Sequence, residues 1–143
     1  MADSAKRTGR VRALAEIALR VCNLDAMQQF YSDVIGLQLM KRFPEAAFFR
    51  IADGFEGHTQ VLALFDRSGD DDYQPPEAVR TSVDHLAFAI SQSDFDDEGR
   101  RLKSLGLNVS TAEHTWVKWR SIYVDDPEGN MVELVCYDDS IAQ

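Results

Sequence analysis

Three side chains stand where a strand pattern tolerates them poorly. They are Glu16 in Ala15-Glu16-Ile17-Ala18-Leu19-Arg20-Val21, His85 in Val83-Asp84-His85-Leu86-Ala87-Phe88-Ala89-Ile90, and Glu133 in Met131-Val132-Glu133-Leu134-Val135-Cys136. Each stretch alternates residue by residue, the period of a half-buried strand. Glu133, between Val132 and Leu134, is costly to bury unless it is paired, protonated or bound to a cation. If the three strands approach one another in one sheet, two carboxylates and an imidazole converge on its open face. That set suits a divalent metal, with water or substrate completing the shell. The competing reading hydrogen-bonds Glu16 to His85 and leaves Glu133 at a solvated edge.

The elements that must position these residues occur twice. Ile17, Leu19 and Val21 match Leu86, Phe88 and Ile90, which puts Glu16 in the place of His85. Gly36-Leu37-Gln38-Leu39 recurs as Gly106-Leu107-Asn108-Val109, and Val61-Leu62-Ala63-Leu64 recurs as Met131-Val132-Glu133-Leu134. This is an internal duplication. We expect a first strand over residues 12–21, then a helix capped by Asn23 or Asp25, in which Met27, Phe30, Tyr31 and Val34 share a face and Gly36 supplies the stop. Strands follow at 38–43, 48–52 and 59–65. In the second copy Asp94 caps a helix with acids at its start and bases near its end. Strands follow at 108–111, 121–124 and 130–137, the last two joined by the turn Asp125-Asp126-Pro127-Glu128-Gly129. Each copy reads strand, helix, three strands. The organisation is a flexible leader (1–10), a first module (11–67), an acidic, proline-containing linker (68–81) and a second module (82–143). A substrate lid is the alternative role for the linker, because Tyr73 interrupts its polar run.

A formal charge of -9 and the lack of a long basic stripe argue against a nucleic-acid partner, since a phosphate backbone would be repelled. No apolar run reaches bilayer length and the first residues lack a signal peptide's apolar stretch, so a cytoplasmic address is expected. Cys22 and Cys136 are far apart and form no CxxC pair, which argues for reduced thiols, with Cys136 in the core. The stretch from Trp116 through Trp119 to Tyr123 is aromatic and basic in an acidic chain. It fits a wall that stacks on a planar or anionic ligand, or a dimer interface. Arg20, on the Glu16 face, is suited to pair with a substrate carboxylate. His58 and His114 read as surface or pocket residues, the latter in a loop.

Four segments together resemble the vicinal oxygen chelate superfamily, the glyoxalase, bleomycin resistance and extradiol dioxygenase family: Glu16-Ile17-Ala18-Leu19-Arg20-Val21, Phe30-Tyr31-Ser32-Asp33-Val34-Ile35-Gly36-Leu37, Asp84-His85-Leu86-Ala87-Phe88, and the run from Asp126 to Leu134. The resemblance implies an α+β fold of two tandem βαβββ modules whose mixed sheets curl into a cup. It implies one divalent metal ion (Mn, Ni, Zn, Mg or Fe) at Glu16, His85 and Glu133, with Ala63 unable to act as the fourth ligand. It implies a homodimer, a small oxygen-bearing substrate, and lyase, isomerase or epimerase chemistry through a metal-stabilised enediolate, with Glu133 or Glu16 as catalytic base. Arg20, Trp116, Trp119 and Tyr123 are then the substrate-binding candidates. A metal-free small-molecule-binding protein is the alternative, and an extradiol dioxygenase the third reading.

Overall fold

The computed structural model describes residues 9–142; residues 1–8 of the expected leader lie outside them. The chain runs β1 (Glu16–Val21), α1 (Leu24–Gln29), β2 (Gln38–Phe43), β3 (Ala46–Asp53), β4 (Thr59–Asp66), β5 (His85–Ala89), α2 (Phe95–Ser104), β6 (Ser110–His114), β7 (Trp119–Asp125) and β8 (Met131–Tyr137). The strands make two sheets of four, ordered β1-β4-β3-β2 and β5-β8-β7-β6, so each half is a βαβββ module. In both, the first strand pairs in parallel with the last while the other pairings are antiparallel. A parallel pair needs a crossover, and the helix of each module supplies it.

Local chemistry accounts for most boundaries. Asn23 Oδ1 accepts from the Ala26 amide at 3.1 Å and caps α1, which widens into a π-helical turn over Phe30–Val34. Gly36 and Gly106 end the two helical segments at φ of 87° and 83°, which a residue with a Cβ adopts only under strain. Three expectations need correction. β1 begins at Glu16 rather than near residue 12, because the residues before it are exposed and lack alternation. β6 covers Ser110–His114 rather than 108–111, since the strand follows its antiparallel ladder with β7 out to His114↔Trp119. Asp94 occupies the N-cap of α2 without capping it: its carboxylate accepts from Ser91 Oγ at 2.7 Å instead.

One hydrophobic core joins the modules. Leu19, Val21, Met27, Tyr31, Phe49, Leu62 and Leu64 of the first meet Leu102, Ile122, Val124, Val132, Leu134 and Cys136 of the second. Each large side chain buried there contributes roughly 1.5–3 kcal/mol of transfer free energy. Polar contacts fix the relative placement. Tyr31 Oη donates to Asp126 Oδ2 at 2.8 Å, and the Glu128 carboxylate accepts from the amides of Cys22 and Asn23 at 2.9 Å. Arg101 donates to the Val34 carbonyl. Among the described residues β1 and β5 each pair with a single strand, which leaves one edge of each unpaired.

Candidate metal and acid–base site

Glu133 is 5% exposed although its strand neighbours Met131 and Tyr137 are open to solvent. It faces away from the core together with Val135, on the face opposite Val132 and Leu134. Its burial comes from the side chains gathered on that face. Ser121 Oγ donates to Glu133 Oε2, and Tyr123 Oη lies 3.4 Å from the same oxygen. The β7–β8 register sets Tyr123 directly opposite Glu133. His85 Nε2 lies 3.1 Å from Glu133 Oε1, and His85 Nδ1 lies 2.7 Å from Asp84 Oδ2. His114, at the end of β6, places Nε2 2.9 Å from Tyr123 Oη and 3.9 Å from Glu133 Oε2.

The competing sequence reading is thereby overturned, because Glu133 is buried and His85 takes Glu133 as partner. His114 belongs to a strand and to this cluster. Position in the ladder carries that information: Ala112↔Ser121 and His114↔Trp119 put residues 112 and 114 on the face of Ser121 and Tyr123.

A neutral imidazole has one N–H. If Nδ1–H donates to Asp84, the Nε2 lone pair faces the Glu133 Oε1 lone pairs at 3.1 Å, which is repulsive. Three arrangements resolve the conflict: a second proton on His85, a proton on Glu133 Oε1 donated to Nε2, or a cation shared by Nε2 and Oε1. A carboxylate holding the far nitrogen of an imidazole is the usual support of a metal-ligating histidine. The donor set thus fits two ligands of a divalent ion.

Glu16 stands elsewhere in the chain. It lines a pocket with Lys41, Phe43, Phe48, His58 and Val61, and among the described residues no three His, Cys, Asp or Glu side chains gather at ligand spacing. Ala63 is fully buried, opposite Ala18 and Phe48 in the sheet. Arg20 lines another cavity, with Tyr73. Trp119 is half-exposed at the start of β7, in register with His114 and Tyr137, and Trp116 is exposed in the β6–β7 turn. Arg120, from the same aromatic and basic stretch, lies on the opposite side of β7, 4.4 Å over the Phe95 ring. No helix is long and apolar enough to cross a membrane among the described residues.

Two βαβββ modules sharing a core, with a histidine on the first strand of one facing a carboxylate on its last, define a protein class that builds sites on open sheet faces. The chain belongs to the Glyoxalase/Bleomycin resistance protein/Dioxygenase superfamily, the vicinal oxygen chelate superfamily, whose family model matches residues 13–134. It is 26% identical over 125 residues to the metallothiol transferase FosB of Staphylococcus haemolyticus, covering 87% of this chain and 83% of that one. It is 30% identical over 122 residues to biphenyl-2,3-diol 1,2-dioxygenase 3 of Rhodococcus globerulus, covering 85% of this chain and 61% of that one. Among solved structures, lactoylglutathione lyase from Agrobacterium tumefaciens superposes with a TM-score of 0.66 at 28% identity, over 89% of this chain and 95% of that one.

Proposed function

We propose that this protein is a divalent-metal-dependent enzyme acting on a small oxygen-bearing substrate, with His85 and Glu133 as two metal ligands and Glu16 of a second copy as the third. The observation that carries the reading is the 3.1 Å approach of His85 Nε2 to Glu133 Oε1, a pair of atoms that a proton or a shared cation can bridge. When bound, the metal acts as a Lewis acid that stabilises an oxyanion on the substrate. Asp84 holds His85 in one tautomer, and Ser121 and Tyr123 fix the plane of the Glu133 carboxylate. His114 and Tyr123 form a short hydrogen-bonded path from Glu133 Oε2 toward the half-buried His114 imidazole, a route along which a proton taken by Glu133 can leave.

Two features support a homodimer that completes the site. Among the described residues the outer edges of β1 and β5 are unpaired, and Glu16 and His85 begin those two strands. Met40 and Phe43, near Glu16, are about half-exposed, as is Trp119 in the second module. An apolar face of one copy over the polar face of another removes both from water.

Metal analysis of a mixture tests this reading. Glu16→Ala and Glu133→Ala homodimers should each lose metal, while refolding the two variants together should restore about one site in two heterodimer halves, because only one half-site pair keeps every ligand. No restoration in verified heterodimers excludes shared ligation. A metal-free binding protein, the reading favoured by Ala63 in place of a fourth ligand, predicts no metal in any of these samples, even after incubation with Mn²⁺, Ni²⁺, Zn²⁺ or Fe²⁺.

A further inference from the structure

The segment between the modules folds back over β1 and with it borders an open cavity of about 780 Å³, a volume in the range of small-molecule sites. Neither His85, Glu133 nor the residues that hold Glu133 line it. Ala18 and Arg20 of β1 form one wall, and Tyr73, Pro75, Pro76 and Arg80 form the other.

Two donors border this cavity, the exposed Arg20 of β1 and Tyr73. No ion pair among the described residues engages Arg20, whose guanidinium is near the Tyr73 phenol. The Tyr73 hydroxyl oxygen is buried without a hydrogen bond of good geometry, with only the weakly accepting Cys22 thiol beside it. A buried hydroxyl in that state carries a penalty that an incoming acceptor relieves. Arg80 adds a second cation, partly offset by Glu77 at 3.5 Å. The remaining walls include the proline rings and the Ala18 methyl group, which offer apolar surface, and the Glu77 carboxylate, which is held toward Arg80. In a chain of net charge -9, a cavity bordered by the Arg20 guanidinium and the Tyr73 phenol is suited to the opposite sign.

We propose that this cavity binds a small organic oxyanion, its carboxylate, phosphate or phosphonate group held by Arg20 and Tyr73 and its apolar body lying against Ala18, Pro75 and Pro76. Burial and the neighbouring thiol push the Tyr73 phenol up to about 12, so it remains a donor throughout the neutral range. The segment joining the modules is then a wall of a binding site. This inference goes beyond the metal reading and does not depend on it.

An NMR titration of the ¹⁵N-labelled full chain at low ionic strength tests it, using benzoate, phenylphosphonate and inorganic phosphate as anions and benzamide as the neutral control. At least one organic anion should saturate, with shifts concentrated on the amides of residues 18–20, 73–74 and 80–83, and benzamide should bind at least about tenfold more weakly. Tighter binding of benzoate than of phenylphosphonate assigns a carboxylate, and the reverse assigns a phosphorus oxyanion. Arg20→Gln should weaken binding about tenfold or more, Arg20→Lys should recover part of the loss, and Tyr73→Phe should cost several-fold. His85→Ala should leave the titration unchanged, which separates this site from the metal site. Full affinity in Arg20→Gln, equal binding of benzamide, absence of saturation by every anion, or shifts centred on His85 and Glu133 would each overturn the proposal.

Discussion

The two modules share one backbone plan and differ on their open faces. Matched through their sheet registers, Ala63, Phe48 and Ala46 of the first occupy the places of Glu133, Tyr123 and Ser121 in the second. One face is filled by rings: Phe48 packs edge-to-face on Phe43 at 5.9 Å and on Phe65 at 5.7 Å. The other holds a carboxylate with a hydroxyl, a phenol and two imidazoles around it. The difference shows how a duplicated fold separates its tasks. A buried carboxylate is sustainable only where its neighbours donate to it, so the polar set must change together or not at all.

The comparison breaks hardest if the charge is moved alone. Ala63→Glu buries a carboxylate opposite Phe48 with no donor in place, and the variant should lose about 3 kcal/mol or more of stability, read as the shift in urea midpoint. An unchanged midpoint would show that the face is more open than its burial indicates. Glu133→Ala tests the polar side directly. Metal retained on dialysis should fall by more than about 100-fold, beyond the effect of losing a supporting residue.

Asp84→Asn sharpens the contrast, because it leaves both proposed ligands in place and alters only what orients His85. Metal affinity should fall about 10–100-fold while the urea midpoint stays near wild type. Tyr31→Phe loosens the joint between the modules by removing one buried hydrogen bond to Asp126, at a cost of about 1–2 kcal/mol.

The same phenol predicts a pH dependence. Burial and the Asp126 carboxylate push Tyr31 well above the ordinary tyrosine value of 10.0, and burial pushes Tyr73 to about 12. Above about pH 10 the unfolded chain loses these protons while the folded chain keeps them. The stability is therefore complete below pH 10 and declines as pH rises through 12 for Tyr73 and further for Tyr31. Urea midpoints between pH 8 and 12 should show that decline, and Tyr31→Phe should flatten it; an equal slope in the variant would assign the effect elsewhere.

Much of this was legible from residue order. The duplication, both helices and most strands follow from alternation, from apolar spacing and from glycines at Gly36 and Gly106, all local signals. Glu133 could be singled out for the same reason, as a carboxylate inside an apolar run. His114 escaped because Ser110-Thr111-Ala112-Glu113-His114 has little apolar alternation and is a strand by virtue of its ladder with β7. The segment around Tyr73 was read as solvated from its composition, yet one phenol in it reaches Cys22 and borders a cavity.

The sequence by itself determined which residues alternate, where the helices stop and which side chains have the chemistry to ligate or to transfer a proton. Those properties depend on neighbours within a few residues. Tertiary structure alone decided that His85 meets Glu133, that Asp84 holds its other nitrogen, that Glu16 lines a separate pocket, and that Ser121, Tyr123 and His114 surround the buried carboxylate. Hydrogen bonds and Coulomb interactions act over a few ångströms, and only strand register and the docking of one module on the other bring residues distant in the chain within that range.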